Sequence, residues 1–181
     1  MNELDYSPSL LSAIKSAKSL AIQDGHSTYG VAHLAYALLF EPTGLVEVLR
    51  TLSKDIEYIK EWFDVRKEVY TSVQNNGNII IADTEIEHVF SESNFNKIRL
   101  GVDYIDAFCV FIAIIKPGLV YSDKQIDGLN LSDKELLKHF GLRNTQKSFS
   151  LVEDGEEQET IDINYCDTLY KKNIIEEGSS V

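Results

Sequence analysis

Cysteine is nearly missing. The 181-residue chain carries two, Cys109 inside an apolar segment and Cys166 far down the tail, too few and too scattered for a disulfide framework or a thiolate metal site. Both read as free thiols. Basic residues are also short, 17 against 29 acids for a formal charge of −12, which argues against a nucleic-acid binder because phosphate contacts need clustered Lys and Arg. No apolar run approaches the ~20 residues of a membrane span, and the opening "MNELDYSPSLL" is acidic and polar rather than a secretory signal. A cytoplasmic protein is expected. Its apolar content of 44% and charged content of 25% are ordinary for a soluble globular domain.

Motifs that carry chemistry are missing as well. Neither His-Glu-x-x-His nor Cys-x-x-Cys occurs, and His26, His88 and His139 are scattered, so no metal site is expected. "GHSTYGVA", residues 25–32, satisfies the first half of a phosphate-binding Gly-x-x-x-x-Gly loop, but Val31-Ala32 stand where Lys-Ser/Thr would touch phosphate and magnesium. No Gly-x-Ser-x-Gly elbow is present. No catalytic residue and no cofactor is expected in this chain.

Helix grammar is what the chain has in quantity. Ser7-Pro8 opens a first helix, with Leu10, Ile14, Ala17 and Ala21 on one face, Leu11 and Leu20 widening it, and Gly25 ending it. A short helix, apolar nearly all round, follows over 31–40 and stops near Pro42. Thr43 caps a third, with Leu45, Val48, Leu49 and Leu52 inward, and Asp55 a fourth, with Ile56, Ile59, Phe63 and Val69 along its stripe. "VQNNGN", 73–78, interrupts. Thr84 and Glu87 then give capping-box spacing for a fifth helix with Ile86, Val89 and Phe90. An apolar sixth covers 107–115 before Pro117-Gly118, and a seventh segment lies around 120–129. Ser132 and Glu135 open the last helix, with Leu136, Leu137 and Phe140, which is expected to end at Gly141.

The two halves repeat. "YGVAHLAYALLFEP" and "YIDAFCVFIAIIKP" align Tyr29 with Tyr104, His33 with Phe108 and Pro42 with Pro117 at a constant offset of 75. A four-helix unit of this size does not bury an apolar central helix alone, so two copies packed together make a domain. The expected fold is all-α: two pseudo-symmetric four-helix repeats, about 7–72 and 82–141, within a domain spanning 1–143, followed by an acidic linker over 144–181. The stretch "LVEDGEEQE", 151–159, with five acids and no base, reads as a solvated linker rather than a specific site. His33 has no nucleophile, carboxylate or ligand partner at a recognisable spacing and aligns with a packing residue. A helix-packing or helix-start role is expected for it.

These residues carry a family resemblance. "SPSLLSAIKSAKSLAIQDGHSTYGVAHLAYALL", 7–39, resembles the first repeat of the Clp N-terminal domain, whose second helix has the form His-Leu-x-x-Ala-Leu-Leu, here His33, Leu34, Ala37, Leu38 and Leu39. The second repeat keeps the helix lengths and the apolar run but has lost the His-Leu pair. "YCDTLYKKNIIEEGSSV", 165–181, is similar to the junction leading into the first ATPase module of Clp unfoldases.

The resemblance implies a non-catalytic recognition domain of a hexameric AAA+ unfoldase, hexameric through an ATPase module outside this chain and itself monomeric. It would bind a protein substrate or an adaptor helix in an apolar groove. The divergent second repeat and the acidic linker lean toward the type VI secretion branch, which pulls on contracted sheath subunits for disassembly; a free-standing docking or adaptor module is the alternative. Carried over by position, the groove of the disaggregase branch falls near Val89, Ser91, Phe95 and Cys109. Ser91 and the polar "SESNFNK", 91–97, favour a dedicated partner over promiscuous capture of unfolded chains, or a groove elsewhere that involves Leu11 and Ile14. Each of these residues also fits ordinary core.

Overall fold

The computed structural model describes residues 5–40, 42–70 and 80–149, with side chains through 141. Its first helix, α1 (Pro8–Gln23), starts as its chemistry dictates: Ser7 Oγ accepts the Leu10 N–H at 3.2 Å, and Pro8 takes the first helical position. Gly25, at φ 72°, turns the chain out of it. A two-residue strand β1 (Thr28–Tyr29) leads into α2 (Val31–Leu38), followed by α3 (Leu45–Thr51) and α4 (Ile56–Lys67). The second half repeats the order with β2 (Ile81–Ala82), α5 (Thr84–Leu100), α6 (Ala107–Ile114), α7 (Asp123–Asp127) and α8 (Asp133–Phe149). The all-α expectation of two four-helix repeats holds, with the short strands as an addition.

The repeat register is 76, one residue more than the sequence alignment suggests. The N-caps Ser7 and Asp83, the left-handed glycines Gly25 and Gly101, and the first residues of α2 and α6 all obey it. His33 is therefore matched by Cys109, not Phe108. Other expectations shift too. Asp83 rather than Thr84 caps α5, accepting the Glu85 N–H at 3.0 Å. Thr43 helps at the start of α3 by accepting the Leu45 N–H at 3.3 Å, but the capping position itself is Gly44, at φ 77°. Asp55 caps α4 as expected, through the Tyr58 N–H at 3.1 Å. Val69 lies beyond α4 and is 83% exposed, so the stripe ends at Phe63. Gly141 does not stop α8, which continues to Phe149; one glycine costs a helix only about 1 kcal/mol. Residues 144–149 of the expected linker are thus helical. The acidic stretch 151–159, Cys166 and the junction-like 165–181 lie outside the described residues.

The core sits between α2 and α6. Seven of the eight residues of each are buried, all but Tyr36 and all but Phe108, so each helix has almost no solvent face and needs neighbours on nearly every side. α1 packs on α2, α5 on α6, and α2 meets α6 across the repeats. Phe63 of α4 reaches Phe111 of α6 with ring centroids 6.2 Å apart, and Trp62 meets Tyr121 edge-on at 5.0 Å.

Backbone joins the halves reciprocally. β1 pairs in parallel with β2, Tyr29 opposite Ala82, and Tyr6 bridges Ile105. Asp83 N–H donates to the Tyr29 carbonyl and Ser7 N–H to the Ile105 carbonyl, both at 3.0 Å, which are the same bond under the 76-residue shift.

Gly30, the residue before α2, is small for a steric reason. A Cβ there would overlap the Tyr70 hydroxyl and ring edge, which seal the start of α2. Gly30→Ala is expected to destabilise the domain by about 1–3 kcal/mol through overpacking. In Tyr70→Ala, where the space is open, the same change should cost less than half as much in urea unfolding.

Candidate functional site

His33 is wholly buried, and its hydrogen bonds fix its role. Nδ1 accepts the Gly30 backbone N–H at 3.1 Å, so the ring proton must lie on Nε2, which donates to His26 Nδ1 at 2.9 Å. The imidazole thus caps one of the orphan N–H groups that every helix start leaves, as its helix-start reading anticipates. In the second half Asp106, which matches Gly30, caps the helix start instead, accepting the Phe108 and Cys109 N–H groups at 3.0 and 2.9 Å. The Tyr70 ring covers His33, centroids 4.8 Å apart. Its hydroxyl, pushed up to about 12 by burial and by Asp83 and Glu85, sits against the Ala32 and Val31 N–H groups.

Asp24, His26 and His33 bring ligand-type atoms within 4.8 Å of one another. They do not fit a metal site. Both His33 nitrogens are engaged, and the Asp24 carboxylate already holds the Lys67 ammonium at 3.1 Å, which Asp64 also holds at 3.0 Å.

The residues singled out by position do not form one surface. Val89 and Cys109 are fully buried, so both contribute packing and neither lines a groove; the Cys109 thiol is pushed up to about 12 by burial and the nearby Asp106, and its carbonyl accepts the buried Asn96 amide at 3.0 Å. Ser91 and Phe95 are exposed on the outer face of α5. On α1, Leu11 is 45% exposed while Ile14 is half-buried against the core.

An apolar groove opens instead between α1 and α2, with a volume of about 360 Å³. Ser16, Ser19 and Leu20 form one wall, Tyr36, Ala37 and Phe40 the other. The small residues leave the space, and Phe40, 58% exposed, stands at its edge. The aromatic wall is braced from behind: Tyr36 and Phe40 stack at 4.7 Å, Lys67 Nζ sits 4.5 Å from the Tyr36 ring centre and Lys60 Nζ 4.3 Å from that of Phe40. Sequence reasoning missed this groove, because Phe40 reads as the last turn of a packing helix and small residues carry no periodic signal. A second cavity of about 520 Å³ between the halves has mixed charge, with Arg66, Asp83 and Glu85 among its lining. Arg66 stacks on Trp62 with Cζ 3.1 Å from the ring centre and donates to the Trp62 carbonyl at 2.9 Å.

The buried cap makes stability depend on pH. Burial lowers the His33 pKa from 6.5 to about 4, helped by His26 and Lys67 and opposed by Asp24. Above 6.5 its contribution is complete; as pH falls toward 4 the unfolded chain takes up the proton first and the contribution is lost. Unfolding free energy should fall by about 2 kcal/mol between pH 7.5 and pH 5 from this group. Urea titrations of His33→Gln, which cannot take up the proton, should show a correspondingly shallower pH dependence from a lower starting stability.

No described helix is long and apolar enough to cross a membrane. Comparison with curated proteins returns no match. Among solved structures, the chain is similar to the N-domain of ClpV from Vibrio cholerae, at 18% identity and a TM-score of 0.64 over 76% of this chain and 84% of that one. A complex of a ClpV N-domain with a VipB peptide gives 18% identity and a TM-score of 0.63 over 76% and 86%. The Hsp104 N-terminal domain from Candida albicans gives 15% identity and a TM-score of 0.59 over 78% and 91%. At these identities the likeness establishes the fold. The family model for the Clp repeat (R) N-terminal domain matches residues 5–121, about two thirds of the sequence and nearly all of both repeats' central helices, and the chain belongs to that family.

Proposed function

We propose that this chain is the protein-recognition domain of a Clp-type AAA+ unfoldase, and that the groove between α1 and α2 receives a short helix or extended segment of its partner. The observation that carries the reading is the open aromatic wall, Tyr36 and Phe40, stacked on each other and contacted by two lysines beside small residues of α1. Such a wall offers apolar anchoring for a partner segment. Affinity on the order of micromolar suffices where tethered copies act together. The motor, its hexameric assembly and a cytoplasmic setting belong to this proposal.

The finer reading is that the partner is a subunit of the type VI secretion sheath. Support comes from the ClpV relative complexed with VipB peptide and from a further structural neighbour described as a peptide from a type VI secretion protein, at 17% identity and a TM-score of 0.61. Peptides tiled across sheath subunits, labelled and titrated by fluorescence anisotropy, should include one that binds saturably. Phe40→Ala should weaken that binding at least tenfold, about 1.4 kcal/mol, and leave the melting temperature within about 2 °C, as expected for a surface change. A folded domain that binds no sheath peptide removes the type VI reading, and one that binds neither sheath peptides nor model unfolded proteins removes the recognition reading itself.

A further inference from the structure

The chain is strongly acidic, yet the elements that build the groove are not. Residues 8–39, covering α1 and α2, contain one acid, Asp24, and two bases, Lys15 and Lys18, in a protein where acids outnumber bases 29 to 17. Asp24 is held by Lys67 at 3.1 Å, so it cannot balance the two lysines fully. Lys15 and Lys18 are both exposed, and neither meets a carboxylate within 4.0 Å among the described residues. Lys18 rests beside the Tyr29 ring, Nζ 5.5 Å from its centre.

These lysines alternate with apolar side chains. Leu11, Lys15, Lys18 and Ile22 follow helical spacing on the outer face of α1, and Leu11 and Ile22 remain 45% and 53% exposed. The stripe lies on the solvent side of the same helix whose Ser16, Ser19 and Leu20 line the groove. An apolar stripe studded with unpaired cations favours an anionic partner.

We infer that the outer face of α1 takes an acidic amphipathic helix, one whose apolar residues seat on Leu11 and Ile22 while its carboxylates meet Lys15 and Lys18. The inference rests on the proposed recognition role and adds the charge of the partner. A second copy of this chain is a poorer occupant, because two chains each of net charge −12 repel, whereas a short helix brings few charges. An anionic lipid surface is disfavoured for the same reason.

The test uses the full 181-residue chain and three helical peptides that share one apolar face, flanked by glutamate, by glutamine or by lysine. At low salt the glutamate version should bind at least ~10-fold tighter than the lysine version, and the gap should close near ~0.5 M salt, where charges are screened beyond a few ångströms. Lys15→Glu/Lys18→Glu should remove or reverse that preference and leave the glutamine version within ~2-fold, whereas Leu11→Ala/Ile22→Ala should weaken all three.

Equal binding of the three peptides, or a preference that survives reversal of both lysines, overturns the inference and leaves the recognition reading standing. Failure of all three peptides, together with failure of the sheath and unfolded-protein ligands, overturns both. Two further measurements bear on the other occupants. A concentration-dependent dimer abolished by the lysine reversals would assign the face to a second copy, and co-sedimentation with phosphatidylserine vesicles lost in the same variant would assign it to a lipid surface; either result overturns the inference.

Discussion

Two eight-residue helices with almost no solvent face govern this fold. Helices so short are unstable alone in water, and α2 and α6 persist because each is enclosed by its own repeat on one side and by the other helix across the interface. Every fully buried Leu, Ile or Phe removed from water stabilises by roughly 1.5–3 kcal/mol, and the two helices concentrate such residues where both halves contribute. Their ends are then the sensitive points, since a buried helix start cannot leave N–H groups to solvent. In the first half His33 and the Tyr70 hydroxyl serve that end; in the second, Asp106 does. The two halves thus perform the same task with different chemistry from different positions, His33 within its helix and Asp106 just before its own.

Most of the helix plan was legible because capping chemistry is local. Ser7-Pro8, Gly25 and Asp55 act in the structure as their side chains dictate. The register was harder to read. Tyr29, Tyr104, Pro42 and Pro117 are conspicuous letters, but the prolines lie in connections whose length differs between the halves, while the caps Ser7 and Asp83 and the left-handed Gly25 and Gly101 that bound α1 and α5 repeat at 76. The extension of α8 through Gly141 was hidden because glycine disfavours a helix without forbidding it.

The site was less legible than the fold. Val89 and Cys109 are placed in a groove only by the family resemblance; here Val89, Ser93 and Asn96 bury the inner face of α5 on α6 and leave Ser91, Phe95 and Ile98 outside. The groove between α1 and α2 depends on where two helices diverge, and that is a property of packing rather than of either sequence segment. Phe40, which the sequence places in the last turn of a packing helix, lies just past the end of α2 and stays 58% exposed.

The reciprocal backbone bonds between the halves bear on how the chain is made. Tyr6, near the start, waits for Ile105, and Tyr29 waits for Ala82. A ribosome that has released only the first four helices has therefore produced a unit whose edge strand is unpaired and whose α2 still shows apolar surface on the side that α6 will cover. Completion awaits the emergence of α6, so the nascent first half is the species most exposed to mispairing with another chain, and slowing translation between the repeats would lengthen that window.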